Sequence, residues 1–208
     1  MKKLSATLVF TALAYMAQSQ TKLPSMPSEV AAPTKTSVPQ ATKMPPLDAS
    51  PMDMAYFPTD YPTLKAQNKI SEVPLVRVIY SRPQRNNRKV FGELIEYNKV
   101  WRLGANEATE IEFFKDATID GKKLPKGRYT MYAIPSPTKW TLIFNKDTDT
   151  WGAFVYDEKK DTLRVDVPVT SVDSVVENFS ISLTKADKGA NLMIAWENTS
   201  VVLAMAIK

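Results

Sequence analysis

From Val100 to Phe114 the chain reads V-W-R-L-G-A-N-E-A-T-E-I-E-F-F, its densest run of chemically specific side chains. Trp101, Arg102, Asn106 and Glu107 supply an aromatic face, a guanidinium, an amide and a carboxylate. Sugar and peptide sites use that set: the ring stacks on C–H surface and the polar groups fix hydroxyls. Gly104 would let the backbone bend and approach a ligand closely. The same residues also suit a purely structural motif, with Trp101 in a core, Arg102 paired to Glu107 and Asn106 capping a turn. Burial decides between the two.

A basic run precedes this stretch. Arg77, Arg82, Arg85, Arg88 and Lys89 occur with no acidic residue from Val73 to Gly92. Guanidinium forks suit carboxylate, phosphate or sulfate groups. The alternative is a solvated face paired with Glu93, Glu96 and Glu107. Arg82, Arg88, Trp101, Arg102, Asn106 and Glu107 together form the expected ligand-binding set, for a small polar or anionic molecule, a glycan or a peptide. Nucleic acid is not expected, because the positive balance is modest and no binding motif is present.

Any catalysis must use carboxylates, Lys, Tyr, Ser or Thr, or an oxygen-ligated metal, and paired carboxylates are the candidates the sequence offers. The chain has no His and no Cys, which excludes Ser-His-Asp triads, Cys-His dyads and His-based zinc sites. Glu107 with Glu110 or Glu112 could act on a glycosidic bond as a carboxylate-based hydrolase does, with Glu107 as acid or base. An alternating acidic strand face is more often simply solvated, so a binding module is favoured over an enzyme, and a structural domain is the third reading. Asn145, Asp147 and Asp149 alternate as in a calcium loop but lack the Gly and distal Glu of an EF-hand. A hairpin turn is the better reading, and neither a metal nor a cofactor is implied.

These residues need a frame. Residues 1–19 carry Lys2 and Lys3, an apolar run and the small residues Ala17 and Ser19, the pattern of a cleaved secretory signal. Export to the periplasm or beyond is expected, without a lipid anchor, since no Cys is available to carry one. No later apolar run is long enough to span a membrane. Residues 20–60 are rich in Pro, Ser, Thr and Lys and read as a disordered linker, although Met52, Met54, Tyr56 and Phe57 could dock on the domain.

From residue 61 to 208 the signals are strands. Glu110–Phe114, Arg128–Ile134, Trp140–Phe144, Trp151–Tyr156, Thr162–Val169, Asn178–Leu183, Asn191–Glu197 and Val201–Ile207 follow Val73–Tyr80. Asp120-Gly121 is a two-residue hairpin signal. The spacing predicts an all-β antiparallel sandwich, jelly-roll or immunoglobulin-like, or a flattened barrel. Trp140, Trp151 and Trp196 are expected in its core.

The segment Lys99 to Thr109, with Tyr80-Ser81-Arg82-Pro83 before it and Gly121 to Tyr129, Phe144-Asn145-Lys146-Asp147 and Trp151-Gly152 after it, resembles the bacterial family catalogued as domain of unknown function 2911. That family is frequent in exported proteins of Bacteroidetes-type bacteria. The resemblance runs from about Ile70 to Ile207. It implies boundaries and a cellular address, and no reaction.

Overall fold

The computed structural model describes residues 45–207. The expected signal and most of the expected linker, residues 1–44, lie outside the described residues. Nine strands are described: β1 (Met52–Phe57), β2 (Val76–Ser81), β3 (Glu110–Phe113), β4 (Ala117–Ile119), β5 (Lys122–Leu124), β6 (Gly127–Pro135), β7 (Lys139–Asn145), β8 (Asp161–Ala186) and β9 (Gly189–Ile207). One short helix, α1 (Tyr61–Ala66), and a single 3-10 turn (Glu158–Lys160) complete the regular structure.

The architecture is all-β and antiparallel, as the alternation predicts. The strands form one open sheet in the order β1-β2-β3-β6-β7-β8-β9-β4-β5. β8 is its pivot. Its first part, from Asp161 to Pro168, pairs with β7, and the remainder from Val169 pairs with β9. Register shifts between Ser171 and Ser180 mark irregularities in that second ladder, and such bulges bend a strand and increase its twist. The sheet thus doubles back on itself. The Tyr80 hydroxyl donates to the Ile181 carbonyl at 3.1 Å. Phe179 N–H reaches Pro83 O at 2.9 Å, and Arg85 N–H reaches Glu177 O at 2.8 Å. One core results, in which Val76, Ile111 and Phe113 pack with Phe179, Ile181 and Ile194. Period-two burial along Leu163, Val165 and Val167 is the alternation seen in the sequence.

Three expectations are corrected. The folded unit begins upstream of residue 61: β1 lies inside the expected linker and pairs in full register with β2, from Met52 opposite Ser81 to Phe57 opposite Val76. Pro51 and Pro58 bracket it, and neither interrupts a ladder bond that a strand interior requires. β8 and β9, of 26 and 19 residues, each unite two expected strands. Their breaks in alternation are irregularities within a strand, such as Glu197 with φ of 56°, and not turns between strands. Trp151–Tyr156 is no strand. After one bridging residue it becomes a turn, opened by Gly152 at φ of 70°.

Candidate functional site

The bend between β2 and β3 is held by its own hydrogen bonds. Six consecutive carbonyls, from Trp101 to Asn106, each accept one. Ala133 N–H bonds to Trp101 O at 2.9 Å, Thr109 N–H to Arg102 O at 3.0 Å, and Gly152 N–H to Asn106 O at 2.9 Å. The Thr109 hydroxyl donates to Leu103 O at 2.5 Å and the Trp101 indole N–H to Gly104 O at 3.1 Å. The buried Ser81 hydroxyl donates to Ala105 O at 2.6 Å and accepts from Ala105 N–H at 2.7 Å. Leu103 and Asn106 adopt positive φ, 54° and 59°, and Gly104 sits at 153°. A β-carbon on Gly104 would meet Ser81 Oγ at 2.7 Å, so only glycine lets the two segments close.

This network sorts the six expected ligand-binding residues. Trp101 is 4% exposed. Its ring stacks on Trp196 and meets Phe91, Trp140 and Phe179 edge-on. It offers no face to a ligand, and its assignment to the binding set is corrected to the core. Five aromatic rings must interlock there, and their gain is apolar burial plus ring-edge geometry. Arg82 is engaged too. It pairs with Asp53 at 3.0 Å and bonds to Phe179 O at 3.3 Å and to the Ser180 hydroxyl at 3.0 Å, tying β1 to β8. Asn106 donates from its side-chain amide to Asp48 at 3.2 Å, against the incoming N-terminal segment.

Arg88 and Arg102 come together. Both line a cavity of about 240 Å³ whose other walls include Pro83, Leu94, Ile95 and Trp196. Arg77, Arg82, Arg85 and Lys89 each hold a carboxylate, on Glu112, Asp53, Glu177 and Glu93. Arg88 instead donates to two backbone carbonyls, Arg85 O at 2.8 Å and Gln84 O at 2.5 Å. Arg102 has no ion-pair partner among the described residues, and its Nε is buried without a hydrogen bond. Arg77 and Arg85 also have an unbonded Nε, but each of those heads keeps its carboxylate. Burial alone pushes the Arg102 guanidinium below its ordinary range, since no neighbouring charge compensates it. The expected Arg102–Glu107 pair does not form.

Glu107 lines a second cavity, of about 300 Å³, which shares no lining residue with the first. It faces Trp151 as an isolated antiparallel bridge. Hydrogen bonds flank that pair, from Ala108 N–H to Thr150 O at 3.0 Å and from Gly152 N–H to Asn106 O. Residues so placed are the closer-spaced kind, with β-carbons about 4.5–5.5 Å apart. Trp151 was expected in the core and is 58% exposed. The turn after Gly152 gives it no second sheet to pack against. Its signal in the sequence is the polar Asn145–Thr150 run before it and the Gly after it, which mark a loop end rather than a strand.

The other carboxylates are engaged. Arg128 lies within 3.5 Å of Glu110 and 2.5 Å of Asp149, and Glu110 also accepts from Asp149 N–H at 2.7 Å. Asp147 pairs with Lys160 at 2.9 Å. The Asn145–Asp149 loop is the hairpin connection that its composition suggests, closed by Asp147 N–H on the Asn145 side chain at 2.9 Å.

No curated protein and no solved structure matches this chain. A family model does match, over residues 62–205, most of the described fold including the bend, both arginines of the first cavity and the Glu107–Trp151 pair. The chain belongs to the family described as protein of unknown function (DUF2911).

Proposed function

We propose that this domain is an exported binding module that takes a small anionic ligand between Arg88 and Arg102. One observation carries the reading: the one arginine of the basic run that holds no carboxylate, Arg88, shares a cavity with Arg102, which holds none either among the described residues. A partly buried guanidinium without a partner costs free energy, because taking charge out of water is repaid only by good pairing. A fold that keeps Arg102 in that state leaves room for a partner that the described residues do not supply. A carboxylate, phosphate or sulfate would complete it, with bidentate geometry. The volume is below the usual range of drug-sized sites, roughly 300–1,000 Å³, which favours a small molecule. Pro83, Leu94, Ile95 and Trp196 would cover an apolar body attached to the anionic head.

Export rests on the N-terminal pattern, with cleavage after Ser19. Among the described residues no helix is long and apolar enough to cross a membrane. The test is isothermal titration of the full mature chain with phosphate, sulfate and a series of short carboxylates, alongside mass spectrometry of small molecules that co-purify with it. Binding that weakens about tenfold or more on Arg102→Met, which removes at least 1.4 kcal/mol, supports the reading. Absence of binding by every anion, with nothing co-purifying, rejects it.

A further inference from the structure

We propose that the second cavity, between Trp151 and Glu107, is a saccharide subsite that stacks a neutral pyranose ring on the Trp151 indole. Four observations converge. Trp151 is more than half exposed, while Trp101, Trp140 and Trp196 are each under 5%. An exposed tryptophan leaves a large apolar surface in water, and such surfaces mark interaction sites. The backbone that carries the ring is also held in place. Trp151 is bridged to Glu107, and its neighbours Thr150 and Gly152 are hydrogen-bonded to Ala108 and Asn106, so little backbone ordering is required on binding.

The lining is two-sided. Met52 and Ile79 extend the apolar wall, while the side-chain polar groups are the Glu107, Glu110 and Asp149 carboxylates and the Thr150 hydroxyl. The carboxylates only accept hydrogen bonds, and the Thr150 hydroxyl is shared with Tyr132 at 3.1 Å. The matching ligand presents an apolar face and a rim of donors, which is the C–H face and hydroxyl edge of a sugar ring. Arg128 pairs with both Glu110 and Asp149 but offsets only one of their two charges, and Glu107 has no partner among the described residues, so the lining stays net negative: sugar hydroxyls meet it as donors, and a basic peptide is the competing occupant that the experiment must exclude. This subsite uses none of the arginines of the anion cavity, so the two stand or fall separately.

The experiment is iodide quenching of tryptophan fluorescence on the full mature chain, with a panel of neutral oligosaccharides built from glucose, mannose, galactose and N-acetylglucosamine. Trp151 dominates the quenching, so Trp151→Phe removes most of it while keeping an aromatic platform. A bound sugar should protect Trp151 from iodide, and calorimetry should give an affinity that falls about tenfold or more on Trp151→Ala and severalfold on Glu107→Gln. Arg102→Met should leave sugar binding unchanged. The proposal is overturned if no member of the panel protects Trp151, if Trp151→Ala binds as the parent does, or if only basic peptides protect it.

Discussion

Arg88 and Arg102 line one cavity, and neither meets a carboxylate among the described residues. Both belong to the long connection between β2 and β3. Arg88 folds back onto the carbonyls of its own loop, whereas Arg102 projects from a bend whose carbonyls are all satisfied. A rigid backbone beneath an unpaired charge is a preorganised site, since the ordering is complete before a ligand arrives.

The two tryptophans of the bend region should separate cleanly in stability. Trp101→Ala opens a cavity among five interlocked rings and should cost about 3–5 kcal/mol. Trp151→Ala removes an exposed ring and should stay within about 0.5 kcal/mol of the parent. Urea denaturation followed by circular dichroism measures both. Equal losses would place Trp151 in the core.

Ser81 should matter more than its size implies. Ser81→Ala leaves the half-buried Ala105 N–H and C=O without their partner, and losing these bonds should cost about 1 kcal/mol or more. Gly104→Ala forces a β-carbon against Ser81 Oγ and should destabilise as well. If they act on the same contact, the double variant should lose less than the two single losses added together, as coupled neighbours do. Strict additivity in denaturant titrations would show that they act independently.

Tyr156 carries an alkaline dependence. Its hydroxyl donates to Asp161 at 2.6 Å and accepts from Arg164 at 2.5 Å. Burial first, and then the Asp161 carboxylate, push its pKa from 10.0 up to about 12. A folded pKa above the unfolded one favours the folded state fully below about pH 10. That contribution is lost as pH rises from about 10 through about 12, because the unfolded chain releases its proton first. Denaturation midpoints at pH 9, 10 and 11 should fall more steeply for the parent than for Tyr156→Phe. Parallel slopes would contradict the assignment.

Much of the fold was legible because burial on one face writes period two into the sequence. Leu163, Val165 and Val167 show this, as does the Asp120-Gly121 turn between β4 and β5. What was not legible depended on partners distant in the chain. β1 looked like linker because its register comes from β2, more than twenty residues later. β8 looked like two strands because an irregularity in a ladder and a turn both interrupt alternation. In the site, the density of functional groups between Val100 and Phe114 correctly marked a special backbone, but not which side chains face outward. Trp101 and Trp151 are the same residue type near similar turn signals. Their burial differs because one meets four other rings and the other meets only a bend. Arg82 and Arg88 likewise differ through distant partners: Arg82 reaches Asp53, Phe179 and Ser180, whereas Arg88 reaches only carbonyls of its own loop.

Arg102→Met separates a binding role from a structural one, because the two move stability in opposite directions. Thermal unfolding and phosphate or carboxylate titration would be run together on parent and variant. If Arg102 awaits an anion, the variant is as stable as the parent or more so, by up to about 1 kcal/mol, since methionine fills the apolar walls without an unpaired charge. The account also predicts that anion binding and anion-dependent stabilisation disappear. A variant that is destabilised by about 2 kcal/mol or more while binding anions as the parent does would make Arg102 a structural residue and contradict the account.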